Sequence, residues 1–222
     1  MHVFFSSVKA VGFDLDRTLY SDTSEISERV AQEIFKAILK LKPELKTTEN
    51  VETIYRKRGR ELRSWSRVLK EIGVEDSQKI RKIVNECLNS ADIADLIKED
   101  QKLVQILEQL SLKFVLFLIT GSIRSQAIKK LVKIGVRAEL FNFSLFGDDS
   151  YSLTESFDKN FQYFLSQSPY QPSEHVYIGD NLQADTILPK SFGMKTILVG
   201  NYSEEADFSI ANIHDIEHLL LP

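Results

Sequence analysis

The stretch VKAVGFDLDRTLYSD, residues 8–22, decides how the rest of the chain is read. Val8–Phe13 is a short, mostly apolar run of the kind that forms a strand buried on both faces of a parallel sheet. Asp14 and Asp16 follow it at once. A carboxylate taken out of water is costly unless something of opposite charge meets it, and a bound metal ion is the usual partner. Side chains two apart on an extended chain share a side, so both acids can face one ligand.

Further runs of the same character lie at Phe114–Ile119, Leu140–Phe146, Val176–Ile178 and Thr196–Val199, with a weaker one at Asp207–Ile210. Helical periodicity separates them. Leu96, Leu103, Leu107 and Leu110 recur on one face, Ile128, Leu131 and Val132 on another, and Gly135 is placed to end the second helix. Strand alternating with helix predicts an α/β fold, a doubly wound and mostly parallel sheet with a Rossmann-like core. Ligands of such sheets bind beyond the carboxyl ends of the strands, where Asp14, Thr120 and Asp180 all fall. Residues 22–95 break the alternation. They hold no convincing strand, and Val30, Ile34, Ile38 and Leu41, then Tyr55, Leu62, Trp65 and Leu69, recur at helical spacing. The expected organisation is a core of residues 1–21 and 96–222 with a helical insertion at 22–95.

At 222 residues and 43% hydrophobic, the chain has enough apolar residues for one sizeable core. A net charge of −4 argues against nucleic acid or an anionic membrane as partner. Cys87 is the one cysteine, so no disulfide framework exists, which fits a reducing cytoplasm. The N-terminus carries no basic leader, and no stretch approaches the length of a membrane span.

Three strand ends carry the distinctive residues: Asp14-Leu15-Asp16-Arg17-Thr18, then Thr120-Gly121-Ser122, then Gly179-Asp180 with Asp185 five residues on. Together they resemble the haloacid dehalogenase superfamily of aspartyl-phosphate-forming hydrolases, in its helical-cap phosphatase branch. The resemblance covers roughly residues 8–20 and 96–220. It implies that the helical insertion is a cap and that the activity is Mg²⁺-dependent hydrolysis of a small phosphorylated metabolite or nucleotide. Branches that cleave carbon–halogen or carbon–phosphorus bonds lack an acid at the position of Asp16. Phosphomutases keep both acids, so an isomerase is the rival enzyme. A catalytically weak binding or regulatory module is the rival of another class.

The chemistry of the residues agrees. A carboxylate can attack phosphorus and form an acyl phosphate, the role given to Asp14. A second acid must protonate the leaving alkoxide and later activate water, and Asp16 is spaced to do so. Mg²⁺ prefers oxygen ligands, which suits Asp14 and Asp180. The resemblance adds the Asp16 carbonyl and Asp185 to that metal set. The Thr120 hydroxyl and Gly121 amide are candidates to bind phosphoryl oxygens, and Thr18 to brace the turn.

Two departures from the family pattern stand out. Arg17 occupies a position usually small or polar, and is read as a surface residue. The third motif, normally Lys-Pro at a helix start, aligns with Glu155-Ser156. Lys159, one helical turn later, is the candidate for the missing phosphate-binding charge. Lys129 and Lys130 are set aside as too far along the helix after Thr120 to point back. In the insertion, Arg56, Arg60, Arg63, Arg67 and Lys70 fall at helical spacing as a basic stripe, read chiefly as a solvated face.

Overall fold

Short runs of β-branched and aromatic residues pair edge to edge, while the segments between them close their own hydrogen bonds as helices. The computed structural model describes residues 2–47, 50–62, 65–149 and 158–221. The chain divides into two compact units, residues 1–21 with 97–222, and residues 22–96.

The first unit is built on a sheet of strands β1 (Ala10–Phe13), β2 (Val115–Ile119), β3 (Phe143–Leu145), β4 (His175–Gly179), β5 (Lys195–Val199) and β6 (Phe208–Ile210). All pairs are parallel, in the order β3-β2-β1-β4-β5-β6. Every residue of β1 and β4 is buried, which is why these central strands read as unbroken apolar runs rather than alternating ones. The chain first winds outward from β1 through β2 to β3, then returns to the other side of β1 as β4. That reversal opens a crevice at the carboxyl ends of β1 and β4, the position where such sheets bind ligands.

The core on one face gathers Phe117, Ile119, Phe161, Phe164, Tyr177 and Met194. Gly12 makes this packing fit. It pairs in register with Phe117 on β2 and Tyr177 on β4, and a Cβ at position 12 would lie 2.1 Å from the Phe117 ring. The Phe117 and Tyr177 rings stack with centroids 6.1 Å apart, and the Tyr177 hydroxyl donates to the Ile119 carbonyl at 2.7 Å. Gly12→Ala is therefore expected to destabilise the protein by about 1–3 kcal/mol through overpacking, measurable as a lowered denaturation midpoint with an unchanged slope.

The flanking helices have legible starts and stops. Asp100 caps the helix Gln101–Ser111 through Leu103 N–H, and its other oxygen meets His214 Nε2 at 2.8 Å. The helix Arg124–Ile134 ends at Gly135, which takes the left-handed φ of 92° that glycine tolerates best. Its buried face is Ala127, Lys130, Leu131 and Ile134. Val132, expected on the apolar face, is 68% exposed, so the true face is offset from the expected one and carries a lysine.

The second unit contains α1 (Ser24–Leu41), α2 (Val51–Leu62), α3 (Trp65–Glu71) and α4 (Ser77–Ser90), and no strand among its described residues. Ile26, Val30, Ala31, Ile34, Phe35 and Ile38 form the buried stripe of α1, at the spacing a helix imposes. Thr23 and Asp76 cap α1 and α4. The basic stripe does not run along one helix, because α2 and α3 are separate elements. Within the unit the stripe's Arg56 pairs with Glu28 and Glu52, and Arg58, which lies off the stripe, pairs with Glu71. Arg63 lies outside the described residues.

Candidate active site

The backbone brings three loops together before any side chain is considered. Asp14 N–H continues the β1–β4 ladder onto the Ile178 carbonyl at 2.9 Å, and Thr120 N–H continues β2–β3 onto the Leu145 carbonyl at 3.0 Å. Leu15 points inward and is fully buried, while Asp14 and Asp16 on either side of it are only partly buried, as alternation along an extended chain requires.

One carboxylate oxygen from each of Asp14, Asp180 and Asp185 lies within 4.8 Å of the others. Asp185 reaches this group from a π-helical segment, Leu182–Ile187, capped by Asn181. Such wide turns are rare and recur at functional positions. Its approach depends on Gly179, where a Cβ would lie 2.3 Å from Asp185 Oδ2. Asn181 N–H donates to that same oxygen at 2.9 Å, and the Thr18 hydroxyl donates to Asp14 Oδ2 at 3.1 Å. Thr18 thus braces the turn, as expected.

Three acids held this close repel. Burial, then the charges of Asp185, Asp16 and Asp180, push the Asp14 carboxyl well above the usual carboxylate range. Burial also pushes Asp185 up to about 7, against the pull of the Asn181 amide. Arg17 supplies one positive charge, its Nε 3.2 Å from Asp180 Oδ2. It does so from a left-handed backbone conformation, φ 63°, uncommon for a residue with a Cβ. The surface assignment of Arg17 is therefore incomplete: half of its side chain is in solvent, and its guanidinium is on the acidic cluster.

Asp16 faces different company. Its Oδ1 accepts from the Tyr20 hydroxyl and from Lys130 Nζ, both at 2.5 Å, and its Oδ2 accepts from the Ser122 hydroxyl at 2.6 Å. Lys130 Nζ also donates to Ser122 Oγ at 2.7 Å. Burial pushes the Asp16 carboxyl up, but the Lys130 charge, with hydrogen bonds from Lys130, Ser122 and Tyr20, outweighs it and holds the group below its ordinary value.

The reason for setting Lys130 aside is overturned by this geometry. In a helix the Cα–Cβ bond tilts toward the N-terminus, and long side chains lie back over the preceding turn. Lys130 therefore does point back along its helix, toward Ser122 at the helix entrance. The signal available in the sequence was a lysine three residues from Ala127 and four from Ile134, on the apolar face. A lysine so placed requires an acid. Lys159 stands near the start of the helix Asp158–Gln167 and is exposed. Glu155 and Ser156, the aligned third motif, lie outside the described residues.

Thr120 is buried and accepts Ser122 N–H at 3.1 Å. Its loop is braced by the one after β3. Gly147 N–H donates to the Ser122 carbonyl at 2.8 Å, and a Cβ on Gly147 would lie 2.1 Å from the Gly121 carbonyl oxygen. Asp148 accepts Arg124 N–H, and Asp149 accepts Phe146 N–H.

A family model described as haloacid dehalogenase-like hydrolase matches residues 11–199. The chain belongs to the haloacid dehalogenase-like hydrolases. Solved structures agree on the fold of this hydrolase. A haloacid dehalogenase-like family protein of Streptococcus pneumoniae superposes with a TM-score of 0.64 at 17% identity, over 96% of this chain and 99% of that one. A protein of Haemophilus somnus described as a predicted phosphoglycolate phosphatase gives 0.61 at 19%, over 96% and 98%. YfnB of Bacillus subtilis, whose structure holds magnesium, gives 0.57 at 17%, over 96% and 98%. A search of curated protein sequences gives no significant match to this hydrolase.

Proposed function

We propose that this hydrolase is a Mg²⁺-dependent phosphomonoesterase that acts on a small phosphorylated metabolite or nucleotide through an aspartyl-phosphate at Asp14. The observation that carries this is the presence of a second acid, Asp16, on the same strand end as Asp14 and beside the Thr120–Ser122 loop. Carbon–halogen cleavage has no leaving-group oxygen to protonate and no use for that acid.

The donor set fits the metal. Three carboxylates offer oxygen-only ligands within 4.8 Å of one another, and their mutual repulsion favours a small divalent cation. Asp14, Asp180 and Asp185 would hold Mg²⁺, with the Asp16 carbonyl as a further ligand by family likeness. Bound there, it would supply positive charge against the phosphoryl group. The Asp14 carboxylate attacks phosphorus, and Asp16 gives a proton to the departing alkoxide and then takes one from the attacking water. The Thr120 hydroxyl and Gly121 N–H hold phosphoryl oxygens as charge builds on them. Lys159 completes the phosphate pocket with its ammonium.

The helical unit that follows Ser21 acts as the cap that limits substrate size, which favours free phosphometabolites over phosphoproteins and nucleic acids. Cytoplasmic location is part of the proposal. It fits a single, buried cysteine, Cys87, and no helix among the described residues is long and apolar enough to cross a membrane.

The test is an assay of the purified chain on p-nitrophenyl phosphate, on alkyl phosphate monoesters and on 2-haloacids, with Mg²⁺ present. Phosphate release from the esters without halide release from the acids is expected. Halide release with inert esters would overturn the proposal.

A further inference from the structure

An ionised carboxylate offers about four lone-pair sites. On Asp16, Tyr20 and Lys130 take both sites of Oδ1, and Ser122 takes one of Oδ2. One site on Oδ2 is left. Lys130 is the keystone of this arrangement because it meets Asp16 and Ser122 at once, and its side chain is only 2% exposed. A lysine buried so fully is costly unless its charge is paired and hydrogen-bonded, and its hydrogen-bond partners here are Asp16 and the Ser122 that also donates to Asp16.

We propose that Lys130, acting with Ser122, is a positioning residue that clamps Asp16 so that the remaining lone pair of Oδ2 is the one that carries the transferred proton. Its role rests on the phosphomonoesterase reading and deepens it. In the first step a bond forms between an Asp14 oxygen and phosphorus while the phosphorus–oxygen bond of the ester breaks. The bonding pair goes to the leaving oxygen, which takes the proton from Asp16 Oδ2, a proton the ionised carboxylate has first taken from the phosphate monoanion of the bound ester. In the second step water attacks the acyl phosphate, its proton returns to the same Oδ2, and phosphate leaves with Asp14 restored. A carboxylate free to rotate would present either oxygen and lose this alignment, which proximity catalysis requires to well within an ångström.

The clamp makes a claim that a plain structural ion pair does not. A p-nitrophenolate leaves without help, whereas an alkoxide needs the proton. Lys130→Met, close in shape but uncharged, is expected to lower kcat on glycerol 2-phosphate by about 100-fold while lowering kcat on p-nitrophenyl phosphate by less than about 10-fold, with KM for both little changed. Asp16→Asn should show the same split, and the double variant should fall no further than Asp16→Asn alone. Lys130→Arg should recover part of the alkyl-ester rate. Ser122→Ala, a smaller change, carries the same expected split if Lys130→Met does not fold. Equal losses on both esters, or additive losses in the double variant, would overturn the clamp while leaving the phosphomonoesterase intact. A wild-type chain that hydrolyses neither ester would overturn both.

Discussion

Asp14→Asn lowers kcat on any phosphate monoester by an expected factor on the order of 10⁴ or more, with the fold retained. An amide oxygen is a poor nucleophile toward phosphorus, so the covalent step loses its attacking group rather than a mere contact. The surroundings tolerate the change. Asparagine keeps an oxygen that can accept the Thr18 hydroxyl, and the Asp14 backbone stays in the ladder to Ile178. Removing one of three crowded acids also relieves the repulsion that pushes the Asp14 carboxyl up. The metal-free variant should therefore melt no lower, and at neutral pH somewhat higher, than the parent. Steady-state kinetics beside a thermal melt decides the matter. Full activity in the variant would exclude Asp14 as nucleophile.

Metal removal should be as severe, and its dependence on pH is set by the same acids. EDTA is expected to abolish turnover and added Mg²⁺ to restore it. The sign of the pH effect follows from where the protons sit. Asp185, pushed up to about 7, and Asp14, also raised, bind protons in the folded state that the unfolded chain has already released. Stability of the metal-free protein therefore falls as pH rises from the ordinary carboxylate range, and the Asp185 share of the penalty is complete once pH has passed about 7. Mg²⁺ must displace those protons to bind. At a hundredfold excess over its Kd it should add about 2.7 kcal/mol, roughly 5–10 °C in Tm for a chain of this length, at pH 8. The gain should shrink toward nothing near pH 5. A Tm gain that is the same at both values, or activity indifferent to EDTA, would contradict this assignment of the metal ligands.

The sheet was legible because each central strand is buried on both faces and so announces itself as an apolar run. Phe114–Ile119 against the observed Val115–Ile119, and Thr196–Val199 against Lys195–Val199, differ by a residue at one end. The strand-end rule then located Asp14, Thr120 and Asp180 without coordinates. Lys130 was hidden for a different reason. Its chain position is far from Asp16 in sequence, and only the length and backward lean of a helical lysine connect them. Arg17 was hidden by its backbone, since a left-handed turn at a non-glycine residue leaves no mark in composition.

The packing around Gly12 carries a consequence for how sequences of this fold can drift. Phe117 and Tyr177 belong to the strands on either side of β1, and their rings meet over the one position of β1 that lacks a side chain. The Tyr177 hydroxyl then fastens to Ile119, the residue before Thr120, while Tyr177 itself stands two residues before Gly179. Positions 12, 117 and 177 are thus one steric unit shared by three strands. A larger residue at 12 is admissible only with a smaller one at 117, and a change at 177 releases the strand end that presents Thr120. Substitutions at these three sites should covary among relatives. Combined variants such as Gly12→Ala with Phe117→Leu should recover stability that Gly12→Ala alone has lost.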